Sequence, residues 1–304
     1  MKRTIILIVF SLLLLAVFYA VMEENPCEGH RGRIVTKTFY SKWVRDKFNI
    51  SVYLPEDYDE NSSVNYPVLY QLDGNNQGKL TAILASHFRC RGIFKNGFIV
   101  VGIGYNYEGW WDKRTRDYTY PRPDTGRKFY IYPGAGGGLR FYHFLREELL
   151  PYVDSNFRTD NTTFGRTLIG HSLGGYFALF TLFYDYQDKR EPKKLFKNFI
   201  AASPTLEYSR DYLLDLETKL ILSGLESLPV KLYLSMSNTE ETEPLPVFPI
   251  LLMRFDKWKY PDFHLQTRIF ENYKNPETII PSYKEGLQFL FGQPRRRAYD
   301  KGEQ

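Results

Sequence analysis

Gly170-His171-Ser172-Leu173-Gly174-Gly175 is the stretch whose residue types and spacing bear most directly on chemistry. With Gly and Ser each near 7% of residues, a G-x-S-x-G pattern arises by chance about 0.1 times in a chain this long. Here it follows the apolar run Arg166-Thr167-Leu168-Ile169 and opens into Tyr176-Phe177-Ala178-Leu179-Phe180, the strand-turn-helix context in which a serine is lifted above a sheet as a nucleophile. The flanking glycines suit a turn so tight that side chains there would strike the neighbouring strand and helix. Acyl transfer is the chemistry this predicts.

Such a serine needs backbone N–H groups aimed at the oxyanion that forms on its substrate. Leu173, directly after Ser172, is the expected first donor. The second is expected from Leu72-Asp73-Gly74-Asn75-Asn76, a flexible stretch after an earlier strand, with Asn75 the donor and Asn76 beside the substrate. The alternative for this stretch is a plain Asx-type turn. The interval from Tyr105 to Gly138, rich in Tyr, Trp, Arg, Pro and Gly, is too long to be structureless in a compact domain unless it builds a site. Tyr107, Trp110, Trp111, Arg114 and Arg116 are expected to line or cover the pocket, where aromatic and cationic groups suit an aromatic or anionic ester; a structural role for each Arg is the alternative. Gly134-Ala135-Gly136-Gly137-Gly138 lacks dinucleotide spacing and reads as a lead into a helix.

The elements that position these residues follow from hydrophobic patterning. Ile34 to Tyr40 and Phe48 to Leu54 read as an antiparallel pair. Continuous apolar runs at 66–72, 98–103, 166–169, 199–202, 230–234 and 265–270 read as strands buried on both faces. Helical stretches fall near 77–90, 139–153, 174–186, 206–224, 246–258 and 282–291. Strands alternating with helices predict an α/β architecture, a mostly parallel sheet covered on both sides. The composition agrees: 304 residues, 43% hydrophobic and 25% charged, with 40 basic and 35 acidic residues giving +5. That charge forms no basic stripe, and the one dense run, Arg295-Arg296-Arg297, lies in a polar tail, so no nucleic-acid partner is implied.

Several motifs in order resemble the Putative esterase family of α/β-hydrolases, which holds siderophore esterases, S-formylglutathione hydrolases, feruloyl esterases and mycolyltransferases. The likeness runs from about 35 to 291 and is carried by Val52-Tyr53-Leu54-Pro55, Tyr66 to Tyr70 with Leu72-Asp73-Gly74-Asn75, Val101-Gly102-Ile103-Gly104, Arg114 to Thr119, Phe144 to Tyr152 and Ile169 to Gly175. The resemblance implies the α/β-hydrolase fold, no cofactor and no metal, and a triad in the chain order Ser, acid, His. Glu240, in Ser237-Asn238-Thr239-Glu240-Glu241, best matches the acid, with Glu241 as its neighbour and two solvated loop carboxylates as the alternative. The base departs from the pattern. Where the family carries His, the loop reads Tyr273-Lys274-Asn275-Pro276, so Asn275 stands at the expected base position. An Asn can hold a hydrogen bond to Ser172, but it cannot take and return a proton near neutral pH.

No other histidine is well placed. His171 sits inside the turn, usual there in the family, and is counted as a structural residue at the edge of the substrate pocket. His264 starts the last strand, about 20 Å from its catalytic end. His87 and His143 lie inside helices, and His30 belongs to a linker. Lys274 is expected to be a solvated loop residue.

At the N-terminus, Lys2-Arg3 precede an 18-residue apolar stretch, Ile5 to Met22, about 27 Å long as a helix. It is expected to be a signal peptide or, for want of small residues at a cleavage site, a membrane anchor that places the rest outside the cytoplasm. The resulting organisation is 1–22 signal or anchor, 23–33 linker, 34–292 hydrolase domain and 293–304 tail. Cys27 and Cys90 form no metal motif and make one disulfide at most. The expected function is an exported serine hydrolase acting on small-molecule carboxylic esters, membrane-attached or secreted. The alternative is a catalytically weak or inactive hydrolase-fold binding protein at the cell envelope.

Overall fold

The computed structural model describes residues 27, 29–30, 32–58, 63–106, 108–123, 134–188, 194–239 and 247–292. Eight strands form one sheet: β1 (Ile34–Ser41), β2 (Asp46–Tyr53), β3 (Val68–Leu72), β4 (Ile99–Gly104), β5 (Arg166–His171), β6 (Asn198–Ala202), β7 (Lys231–Ser237) and β8 (His264–Phe270). Their order is β1-β2-β4-β3-β5-β6-β7-β8. β1 pairs antiparallel with β2 from Ile34 opposite Tyr53 to Ser41 opposite Asp46, and β2 pairs antiparallel with β4. From β4 onward every pairing is parallel. The mostly parallel α/β sheet expected from the patterning is therefore present, and with it the α/β-hydrolase fold that the resemblance implies.

Alternate residues of each central strand enter different cores, as a period of two requires. Val68, Tyr70 and Leu72 of β3 join the larger cluster, with Phe141, Phe144, Phe177 and Phe180. Leu69 joins the smaller one, with Ala82, Phe88, Tyr283 and Leu287. The helices that cover these faces are α1 (Gly74–Cys90), α2 (Trp110–Tyr118), α3 (Gly138–Phe144), α4 (Leu150–Asn156), α5 (Leu173–Tyr186), α6 (Arg210–Leu222), α7 (Val247–Asp256) and α8 (Ile279–Phe291). A π-helical turn, Leu145–Leu149, joins α3 to α4. α2 falls within the interval that sequence reasoning marked as unlikely to be structureless.

One strand expectation is corrected. The run 265–270 is not buried on both faces: β8 is the sheet's edge, with Gln266, Thr267, Arg268 and Ile269 exposed. Polar residues between the apolar ones fit that position, since an edge strand faces solvent along one side. The segment Ile5 to Met22 lies outside the described residues, among which no helix is long and apolar enough to cross a membrane. Cys27 and Cys90 form a disulfide across 63 residues of sequence, with Cα atoms 5.4 Å apart.

Candidate active site

Ser172 occupies the single-residue turn between the end of β5 and the start of α5, with φ 57° and ψ −120°. A non-glycine residue held there carries about 1–3 kcal/mol of strain and persists only where its surroundings over-determine it. They do so here. Its N–H donates to the Ala202 carbonyl at 3.0 Å, while its own carbonyl accepts from Tyr176 N–H at 2.9 Å and Thr205 N–H at 3.1 Å. A Cβ on Gly170 would lie 2.2 Å from the Gly174 carbonyl oxygen, and one on Gly175 2.8 Å from that of Ala202, so both positions exclude side chains, whereas the clash expected at Gly174, the second glycine of the G-x-S-x-G pattern, is not found: a Cβ there would lie 3.5 Å from Leu72, an ordinary contact. The Ser172 hydroxyl lies 3.0 Å from the Thr205 hydroxyl.

Two helix N-termini meet at the ends of neighbouring parallel strands: α5 after β5 and α1 after β3. Leu173 is the first residue of α5, so its N–H has no partner within the helix ladder. In the turn before α1, Asp73 sits at φ 54° and its N–H donates to the Tyr118 hydroxyl at 2.9 Å. Asn76 and Gln77 N–H both return to the Asp73 carbonyl. This leaves Gly74 and Asn75 as the first-turn N–H groups of α1. The Asn75 side chain is fixed: its Nδ2 donates to the Tyr105 carbonyl at 2.6 Å and its Oδ1 accepts from Tyr105 N–H at 2.5 Å. Asp73, Asn75, Asn76, Tyr105 and Trp110 line a cavity of about 110 Å³.

For Arg114 the surroundings fit the alternative expectation, a structural role. It is buried, with 5% exposure. Its Nε and Nη2 bind the Asp73 carboxylate at 2.7 and 3.0 Å, and Nη2 also donates to the His171 carbonyl at 3.2 Å. Its cation is matched by Asp73, and it clamps the α1 turn to the nucleophile turn. Arg116 binds both oxygens of Asp117 and reaches Asp46 at 3.0 Å. Trp110 and Trp111, packed edge to face at 5.4 Å, are 38% and 46% exposed, and the Arg114 guanidinium lies 5.3 Å from the Trp111 ring centroid.

The loop after β8 also reaches the nucleophile turn. His171 Nε2 donates to the Asn275 backbone carbonyl at 2.9 Å, and the Thr278 hydroxyl donates to the same carbonyl at 2.7 Å. The hydroxyls of Ser237 and Thr239, at the end of β7, bind the Tyr273 carbonyl and hold that loop from the other side. Burial pushes the His171 pKa down to about 4, against the opposing pull of the Asn275 carbonyl. The other four histidines are elsewhere: His30 against Ser86, His87 on the Cys27 carbonyl, His143 stacked on Trp43, and His264 at the start of β8. Glu240, Glu241 and Tyr107 lie outside the described residues. Among the described residues no group of three acidic, His or Cys side chains is arranged to hold a metal ion.

Sequence reasoning did not single out Thr205, which follows β6 in Ser203-Pro204-Thr205, or Tyr118 as the partner of the Asp73 turn. Nothing in a Ser-Pro-Thr tripeptide marks a contact across two strands. Tyr118, four positions after Arg114, carries no local sign of that contact.

A family model described as "Putative esterase" matches residues 41–266. The chain belongs to the Putative esterase family. The match ends before Asn275. Among curated proteins, the ferri-bacillibactin esterase BesA of Bacillus subtilis is 31% identical over 190 residues, 58% of this chain and 61% of that protein. The apo-salmochelin esterase of Escherichia coli is 30% identical over 154 residues, 49% of this chain and 44% of that protein. The matches to these relatives thus span roughly half to three fifths of their length. Among solved structures, the BES protein of Bacillus cereus superposes with a TM-score of 0.73 at 24% identity, covering 86% of this chain and 96% of that one. An IroE-like serine hydrolase from Shewanella oneidensis gives 0.71 at 24% identity, covering 85% and 80%. Both share the fold of this member of the family.

Proposed function

We propose that this protein is an exported serine hydrolase acting on carboxylic esters, with siderophore-like esters as the substrate class, Ser172 as nucleophile and a weakened base. The observation that carries the reading is the strained backbone of Ser172 at the head of α5, fixed on both sides by hydrogen bonds and by Gly170 and Gly175. In the proposed reaction Ser172 Oγ bonds to the ester carbonyl carbon, and the carbonyl oxygen takes the negative charge beside the N–H groups of Leu173 and Asn75. The Oγ proton passes to a water molecule, because Asn275 can orient a water but not accept the proton. The ester C–O bond breaks, the departing alkoxide takes the proton back from that water to leave as the alcohol, and a second water cleaves the acyl-serine, its hydroxyl remaining on the acid and its proton returning to Ser172 Oγ. Glu240 is the proposed acid of the site.

Siderophore esters enter through the names of the relatives and through the exposed Trp110–Trp111 pair beside the cavity. Export is supported by the Lys2-Arg3 and Ile5 to Met22 pattern, which we take as an uncleaved anchor, and by the Cys27–Cys90 disulfide, a bond that persists in oxidising compartments. The second reading, an inactive binding protein, is favoured by one observation: the only histidine at the nucleophile turn has its ring on a backbone carbonyl. Treating the full chain with a fluorophosphonate probe and locating the label by mass spectrometry separates the two. Label on Ser172, lost together with esterase activity in Ser172→Ala, is the expected result. Absence of label on Ser172 in the folded protein would favour the binding reading.

A further inference from the structure

The cavity of about 110 Å³ at the turn before α1 has walls of unequal rigidity. Its back wall is Tyr105, directly after β4, a buried residue whose ring packs 5.5 Å from Phe48 and 6.1 Å from Tyr118. The Asn75 side chain holds both the N–H and the carbonyl of Tyr105. It can fold there only because Gly104 carries no side chain, since a Cβ on Gly104 would lie 2.0 Å from Asn75 Oδ1. Asp73 has both carboxylate oxygens on Arg114. The side chains of Asp73 and Asn75 are thus committed to the protein, and they offer a ligand van der Waals contact. The outer wall is the exposed Trp110, and the exposed Asn76 forms the lip.

The order of the sheet places this cavity on one side of Ser172. β3 and β4, which lead into Asp73 and Tyr105, lie on one side of β5, and β6, β7 and β8 lie on the other. Thr205, after β6, and the loop 272–278, after β8, come to the nucleophile turn from that second side. From the first side comes Asp73, whose Oδ2 would lie 3.6 Å from a Cβ at Gly174, two residues after Ser172. In the proposed acyl transfer the attacked carbon carries Ser172 Oγ, the oxyanion, the departing alcohol and the acyl substituent. The oxyanion meets the N–H groups of Leu173 and Asn75. The alcohol takes its proton from the water beside Asn275, so it leaves on the β6–β8 side. The acyl substituent is left with the β3–β4 side, where the cavity lies.

We propose that this cavity is the acyl subsite, that it accepts a short neutral acyl chain, and that Trp110 sets the length limit. The inference rests on reading Ser172 as the nucleophile of an ester hydrolase. An apolar cavity of about 150 Å³ takes the six carbons of a benzene ring, so this one holds about four carbons. A longer or bulkier substituent must run outward past Trp110. An anionic one gains no ion pair from Arg114, which Asp73 already matches.

The test varies the acyl half while the leaving group stays constant: hydrolysis of p-nitrophenyl acetate, butyrate and hexanoate by the full chain, less the rate in Ser172→Ala. Each methylene that enters the cavity is worth about fourfold, so kcat/KM for butyrate should exceed that for acetate by about tenfold, and hexanoate should gain nothing more. Trp110→Ala removes the outer wall, and the hexanoate-to-butyrate ratio should rise at least about threefold. Asn76→Phe fills the cavity from its lip, and the butyrate-to-acetate ratio should fall to about one. Phenyl and 1-naphthyl acetate vary only the alcohol half, and their ratio should be the same in Trp110→Ala as in the wild type. Ratios that stay fixed across the acyl series in both variants, while turnover still depends on Ser172, overturn the subsite and leave the hydrolase reading standing. A shift confined to the acetates of the two alcohols overturns it as well, since the cavity would then hold the alcohol half. Absence of any turnover or fluorophosphonate label that depends on Ser172 overturns both readings.

Discussion

The His171 ring donates from Nε2 to the backbone carbonyl of Asn275 at 2.9 Å, so the histidine nearest the nucleophile is bound to main chain. Burial holds its pKa at about 4, below the ordinary 6.5. The unfolded chain therefore binds this proton more readily than the folded one, and stability from this residue is complete above about pH 6.5 and lost as pH falls toward 4. A shift of this size is worth about 3 kcal/mol. His171→Gln keeps an amide donor for Asn275 but does not titrate. Urea unfolding of both proteins between pH 7.5 and 4.5 should show the wild type losing more stability, the difference approaching that figure. Parallel pH curves would show that the ring is not buried as a neutral group.

Asp73 and Arg114 should behave as a unit. Each is less than one-tenth exposed, and Arg114 also holds the His171 carbonyl. Removing one partner leaves the other charge buried and unmatched, a loss of about 3–5 kcal/mol. Asp73→Asn and Arg114→Met are each expected to lower stability by about that amount, while the double variant loses clearly less than the sum. Additive losses in urea titrations would show that the two side chains do not share one site.

The sheet was largely legible because strands buried on both faces leave unbroken apolar runs such as Phe98 to Ile103, and only the β8 edge was misread. The turn at Ser172 was legible because glycine is the only residue that fits at 170, and again at 175 just after the pattern, although Gly174 itself leaves room for a Cβ. The inward course of Arg114 was not. α2 is a mostly polar helix whose buried residues include Arg114, Thr115 and Asp117, so hydrophobic periodicity gives no sign of which face is covered. Charge type suggested a ligand contact, whereas the pairing with Asp73 depends on a strand end more than 40 positions earlier. Contacts of that kind, and the hydroxyl pair at Ser172, are set by topology and leave no local pattern.

Thr205 is expected to orient the nucleophile. Its N–H binds the Ser172 carbonyl and its hydroxyl lies 3.0 Å from Ser172 Oγ. Thr205→Val keeps the shape and the backbone bond but removes the hydroxyl, and one such bond is worth about 1 kcal/mol, or roughly fivefold. The rate of fluorophosphonate labelling at Ser172 should change by about that factor, Thr205→Ser should restore it, and the melting temperature should move little. Equal labelling rates in all three proteins would leave Thr205 a backbone tether only.

Asn275 is the position where a single substitution should add chemistry. Its backbone carbonyl is held by His171 and Thr278, contacts that any side chain at 275 preserves. The residue whose ring meets that carbonyl immediately precedes Ser172, and position 275 is where the resemblance to the family leads one to expect the base. Removing one triad member from a serine hydrolase leaves roughly 10³ to 10⁴-fold catalysis over water, from the oxyanion donors and binding. Turnover of simple aryl esters by the wild type should accordingly be low but measurable and abolished in Ser172→Ala. Asn275→His places an imidazole in the loop, and kcat/KM should rise by at least about 10², worth about 2.7 kcal/mol of transition-state stabilisation. The gain should follow a pH profile rising through the imidazole range, which a change in binding alone would not produce. A wild type that turns over at tens per second, indifferent to Asn275→Ala and Asn275→His, would mean that another group takes the Ser172 proton, and Glu240→Gln would then be the next variant to assay.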